Sequence, residues 1–200
     1  MELLAWLQMS SWLELLAMLL ALAYLVLAIM EKRACWYAAF ASTAIYTVIF
    51  WDVSLLMESA LQVYYMAMAV YGWWYWHADS EHSPVVTWTP RSHLVAVVAI
   101  ALLTVVSGYL LTHYSHAALP YLDAFTTWAS IVATVMVARK VLENWLYWIV
   151  IDMASIYLYV SRELNITALL FVLYVILACV GYWQWKRQLT TSTISPSTAR

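Results

Sequence analysis

The sequence predicts an all-α integral membrane protein of seven transmembrane helices, and three observations lead there. Hydrophobic residues make up 66% of the 200 residues and charged residues only 10%, against about 25% charged in a typical soluble domain. A surface so poor in charge cannot be solvated by water, so most of it faces lipid. Apolar runs close to the ~20 residues that cross a ~30 Å hydrocarbon core recur along the whole chain. Helix formers dominate and there are three glycines, while the ~10-residue alternating segments of a membrane barrel are missing.

Taken in order, the spans are Ser11–Met30, Ala34–Phe50, Met57–Trp76, His93–Thr112, Ala117–Ala138, Glu143–Val160 and Ile166–Trp185. The first is long enough to stay in the membrane and lacks the small-residue cleavage site of a removable leader. Short polar separators stand between the spans: Glu31-Lys32-Arg33, Trp51-Asp52, His77–Arg91, His113–His116, Arg139-Lys140 and Ser161–Asn165. Pro84 and Pro90 stop helices within the longest of these. The Ser/Thr-rich tail with Pro196 reads as disordered.

Orientation follows from the basic residues. With the N-terminus outside and the C-terminus inside, Lys32, Arg33, Arg91, Arg139, Lys140, Lys186, Arg187 and Arg200 all fall on the inner side. Only Arg162 of the nine Lys and Arg falls outside. Cytoplasmic loops carry such an excess, and a six-helix count would destroy it.

The chain also repeats itself. At an offset of 109 residues, Leu61–Trp76 aligns without a gap on Leu170–Trp185, with Leu61/Leu170, Val63/Val172, Tyr65/Tyr174, Ala69/Ala178, Gly72/Gly181, Trp74/Trp183 and Trp76/Trp185 identical. The same offset sets Trp36 on Trp145 and Glu14 on Asp123. Helices 1–3 and 5–7 therefore read as copies, and an odd helix 4 between them lets both keep one orientation. The organisation expected is a first repeat over 1–77, an inner loop and linker helix over 78–113, a second repeat over 114–188 and the tail over 189–200. Carriers built from such parallel repeats hold substrate near the bilayer midplane between the halves. Gly108 and Pro120 are candidate hinges.

Polar groups within spans identify the candidate site. A charge at a helix centre costs at least ~2.5 kcal/mol on insertion scales and tends to be functional or paired. Asp152 is such a charge, and Trp145, Trp148 and Asp152 share one helix face by spacing. Asn144 and Ser155 extend that face. Two aromatic rings, an amide and a carboxylate suit a planar, hydrogen-bonding, cationic ring held by stacking and cation–π contact. The alternative is that Asp152 pairs with another helix or accepts from a Trp indole. Gln62 and Tyr65 on helix 3 read equally as site residues or as interhelical hydrogen-bond partners. Glu14 and Asp123 read as acids at headgroup depth. Trp76 and Trp185 read as interfacial anchors, and Trp51, Trp74 and Trp183 as either anchors or site residues. Cys35 and Cys179 read as buried packing residues, too far apart in sequence for a metal motif. No HExxH, CxxC, nucleophile elbow or phosphate loop is present, so no catalytic site, metal or cofactor is implied. The near-zero net charge excludes nucleic acid as a partner.

The stretch Glu143-Asn144-Trp145-Leu146-Tyr147-Trp148, with Asp152 and Tyr157-Leu158-Tyr159 after it, resembles the PnuC-type nicotinamide riboside transporters. So do Tyr71-Gly72-Trp73-Trp74-Tyr75-Trp76 and Gly181-Tyr182-Trp183-Gln184-Trp185. The likeness runs from helix 1 to the end of helix 7. It implies a SWEET-like 3+1+3 fold, passive uptake of nicotinamide riboside across the bacterial inner membrane, and a homotrimer. It also implies a cytosolic nucleoside kinase that traps the substrate by phosphorylation. The family's helix 6 motif falls on Asn144, Trp145, Trp148, Asp152 and Tyr157. The pyridinium would meet the aromatic and carboxylate face, and the ribose hydroxyls Gln62, Asn144 and Tyr65. Carriers of this fold for thiamine and riboflavin, a sugar carrier, and a non-transporting membrane scaffold are the alternative readings.

Overall fold

A computed structural model of the chain describes residues 2–52, 56–78, 84–114, 119–161 and 165–194. His82, His116, Arg162, Pro196 and Arg200 lie outside these. The described residues form seven helices: α1 (Glu2–Ile29), α2 (Ala34–Asp52), α3 (Leu56–Ala78), α4 (Pro90–Tyr114), α5 (Pro120–Ala138), α6 (Asn144–Ser161) and α7 (Asn165–Ile194). α1 begins earlier than its apolar run, and α7 continues past Trp185 into the stretch expected to be unstructured.

Stretches within α1, α4, α5 and α7 (Trp12–Ile29, Pro90–Tyr114, Pro120–Ala138 and Ala168–Thr190) are long and apolar enough to cross a membrane, and Ala34–Ile49 is a shorter apolar helix. α6 does not qualify by composition because Asn144, Asp152 and its aromatic residues dilute the run. α4 shows why lipid is the solvent: Leu94, Val95, Val97, Val98, Leu102, Val105 and Val106 are all exposed on it.

The chain divides into two compact units, 1–83 and 84–200. In the first, α2 packs on both α1 and α3. Interhelical hydrogen bonds fasten these pairs, with Ser42 Oγ donating to Ala17 O (2.7 Å) and Ser59 Oγ to Thr47 O (3.0 Å). In the second, α4 packs on α5, α5 on α6 and α6 on α7. Trp128 Nε1 donates to Ser107 Oγ (2.9 Å) across the α4–α5 contact.

The two prolines that precede helices open them. Pro90 is the first residue of α4, and Thr89 caps it, its Oγ1 accepting Ser92 N–H at 3.3 Å. Pro120 likewise opens α5. A proline at the first position loses no helical hydrogen bond, so Pro120 marks the edge of α5. Gly108 is a packing site: a Cβ there would meet the Tyr121 ring at 2.3 Å.

The α1–α2 and α5–α6 connections have one geometry. Glu31 N donates to Ala28 O (3.0 Å) and Lys32 N to Leu27 O (2.8 Å). In the second connection Lys140 N donates to Val137 O (3.0 Å) and Val141 N to Met136 O (2.9 Å). This is the paired pattern of a Schellman helix end. Its left-handed residue is usually glycine, yet here it is Glu31 (φ 53°) and Lys140 (φ 52°).

Each unit also holds a matched aromatic packing group. Trp36 and Trp76 meet edge to face at 5.3 Å and 85°, and Trp145 and Trp185 at 5.3 Å and 86°. Trp36 lies over Gly72 and Trp145 over Gly181, where an added Cβ would come within 2.3 and 2.7 Å of the ring. Trp76 and Trp185 are thus buried core residues and not interfacial anchors. Their position behind the glycine gives the indole a pocket between helices. Cys35 is buried as expected, whereas Cys179 is exposed on α7; its neighbour in sequence, Ala178, takes the buried position.

Candidate substrate site

α6 starts directly after the left-handed turn at Lys140, and this start positions its polar residues. Val141 O accepts Asn144 N–H at 3.1 Å and Asn144 Nδ2 at 2.6 Å, so the side-chain amide folds back on the turn. Val86 holds the turn from the other side, with Val86 N donating to Lys140 O (3.0 Å) and Leu142 N to Val86 O (2.8 Å).

Asn144 is 0% exposed and Trp145 1% exposed. Among the described residues Asn144 Oδ1 and Trp145 Nε1 have no hydrogen-bond partner, and neither does Trp36 Nε1 in the first unit. A buried polar atom left without a partner costs about 1–3 kcal/mol. Two turns along α6 lies Asp152, 4% exposed, with Ser155 buried one turn further. Among the described residues no ion pair or hydrogen bond reaches Asp152. It neither pairs with another helix nor accepts from an indole there. A buried carboxylate without a partner is costly in lipid, about 2.5–3.5 kcal/mol at a helix centre on insertion scales. That cost falls when a cation and its hydrogen-bond donors meet it.

The candidate residues occupy several environments. Asn144, Trp145 and Asp152 share the buried side of α6. Trp148 is held differently: it packs with Tyr147 against Ile100, Ala129, Ala133 and Ile151, toward α4 and α5. Trp145 turns toward α7, so the two rings have different neighbours. Tyr157 is exposed on another face of α6. Gln62 and Tyr65 are half-buried on α3, in the first unit, with Tyr65 against Tyr64 at 5.6 Å between centroids. Trp51 and Trp183 are exposed. Lys186 Nζ stands 5.8 Å from the Trp183 ring centroid, the amphipathic pairing of a membrane–water interface.

A group at the start of α6 was not legible in the sequence. His93 Nδ1 and Tyr147 OH are 3.0 Å apart, and their rings stack at 26°. His93 Nε2 is 3.9 Å from Glu143 Oε2, which also accepts Trp88 N–H at 3.2 Å. The cluster ties the start of α4 to the start of α6. Only the Glu143-to-Tyr147 spacing, one helical turn, signalled it in advance.

Seven helices with exposed apolar surfaces, and a carboxylate buried in one of them, define a multi-pass membrane protein. The chain belongs to the family described as nicotinamide mononucleotide transporter, which matches residues 11–187. The family is one of transporters and not of enzymes. The chain is 26% identical to the nicotinamide riboside transporter PnuC of Escherichia coli (strain K12), over 88% of this chain and 85% of that protein. It is 25% identical to the riboflavin/roseoflavin transporter RibM of Streptomyces davaonensis, over 87% of this chain and 84% of that one. The crystal structure of the vitamin B3 transporter PnuC superposes with a TM-score of 0.74 at 24% identity, covering 90% of this chain and 83% of that chain. That likeness establishes the fold.

Proposed function

We propose that this protein is a facilitated-diffusion carrier that brings nicotinamide riboside across the bacterial inner membrane. The observation that carries the reading is Asp152, buried and without a partner among the described residues, two turns along α6 from Asn144 Oδ1 and Trp145 Nε1, which also lack one there. Its family relative from Escherichia coli carries that same substrate in its name. Nicotinamide riboside brings a fixed positive charge on a flat ring and hydroxyls on a ribose. The carboxylate compensates the charge, an aromatic ring supports it by cation–π contact, and the amide oxygen accepts from a hydroxyl. Trp148 positions α6 from behind.

All seven helices span the bilayer, N-terminus outside, in a SWEET-like 3+1+3 order. The basic residues and the matched turns at Glu31 and Lys140 support this arrangement. Transport proceeds by alternating access, and phosphorylation by a cytosolic kinase prevents return because a phosphate adds charge. The carrier works as a homotrimer. Riboflavin is a second reading, favoured by the similarity to RibM.

Uptake of labelled nicotinamide riboside into proteoliposomes tests the proposal. Saturable equilibration without an ion gradient, unaffected by excess riboflavin, is the expected result. Competition by riboflavin together with failure of nicotinamide riboside to enter would replace the substrate.

A further inference from the structure

We propose that the groove between α4 and α5 at the basic end of the second unit binds one anionic phospholipid. The groove is open and has a volume of about 520 Å³. Trp88, Arg91 and Ser92 line it at the start of α4, and Val95, Val132 and Val135 give it an apolar wall. α4 and α5 run antiparallel here, so the start of α4 and the end of α5 share a level, and Arg139 just beyond α5 adds an exposed cation there. Arg91 is exposed, and no ion pair or hydrogen bond engages it among the described residues. The carboxylate nearest this end, Glu143, is occupied by the Trp88 N–H and faces His93.

A cation, a hydroxyl and an indole above an apolar trough match a phosphate headgroup above an acyl chain. Basic pockets between helices on the cytoplasmic side bind such lipids, and indoles favour the interface. The inference rests on the inner orientation of this end proposed above, and not on the identity of the transported solute.

Delipidated protein in neutral detergent is titrated with phosphatidylglycerol or with phosphatidylcholine of the same acyl chains, and bound lipid is read by native mass spectrometry. Wild type is expected to retain phosphatidylglycerol preferentially. Arg91→Gln is expected to lower that preference about fivefold, the effect of one basic residue at a charged membrane surface, and Arg91→Lys to keep it. Equal retention of the two lipids, or an unchanged preference in Arg91→Gln, overturns the proposal. Full displacement of the lipid by glycerol phosphate also overturns it, by making the site one for free anions. So does a Val132→Trp protein that keeps the preference but loses its oligomeric state, because the groove then belongs to a second copy. The readout needs no substrate, so failed uptake of nicotinamide riboside with an intact lipid preference sinks only the carrier reading.

Discussion

The stretches α1–α3 and α5–α7, matched in sequence at an offset of 109 residues, share a framework and differ in chemistry. In both, a left-handed residue ends one helix, a tryptophan opens the next, and that tryptophan lies over a glycine and against a second tryptophan at 5.3 Å. At the same register, however, Cys35, Ala39 and Thr43 stand where Asn144, Trp148 and Asp152 stand in the second copy. Thr43 Oγ1 satisfies itself on Ala39 O at 2.8 Å, while Asp152 finds nothing comparable. Ala34 and Ala38 likewise replace Glu143 and Tyr147, so the His93 cluster exists only in the second copy. The conclusion is that packing is duplicated because both copies solve one helix-packing problem. The buried carboxylate and amide lie in one copy, on a helix whose start is pinned by an extra segment around Val86.

The largest expected effect tests the shared part. Gly72→Ala and Gly181→Ala each force a methyl into a buried indole, at 2.3 and 2.7 Å, and overpacking of this kind costs about 1–3 kcal/mol. Thermal unfolding in detergent should show both variants destabilised, Gly72→Ala the more. A drop in only one copy would break the equivalence of the two packing groups.

Next comes the part that differs. Asp152→Asn should lower uptake of nicotinamide riboside about tenfold, the loss of one charge-assisted contact of ~1.5 kcal/mol. Thr43→Val should leave uptake near wild type. Asp152→Asn should also unfold at a higher temperature, since it removes a buried charge that nothing in the folded chain compensates. Equal losses of uptake in both variants would mean that the copies contribute alike.

Tyr147→Phe removes the 3.0 Å hydrogen bond to His93 and should cost about 1 kcal/mol, read in the same unfolding experiment. The counterpart substitution Ala38→Ser should have a smaller effect, because alanine has no side-chain hydrogen bond to lose. Smallest are Glu31→Gly and Lys140→Gly, at φ 53° and 52°. Relief of the left-handed strain should raise stability by up to about 1 kcal/mol in each, and a gain at one site only would show that the turns differ in strain.

Membrane residence, the helical class and the 109-residue repeat were determined by the sequence alone. Hydropathy and register are local or translational properties, readable without knowing which helix meets which. The same holds for Asp152 and Asn144: a charge and an amide inside an apolar run stand out wherever the run packs. Tertiary structure decided the rest. Trp76 and Trp185 resemble interfacial anchors by position, and only the tryptophan that each meets on a neighbouring helix, Trp36 and Trp145, makes them core. Trp145 and Trp148 share a face by spacing, yet α7 engages one and the α4–α5 side the other. Cys179 and Ala178 are adjacent, and packing buries the second and exposes the first. The physical reason is common to all three. A helical period shows which residues point the same way, but burial, pairing and desolvation depend on what a neighbouring helix presents there.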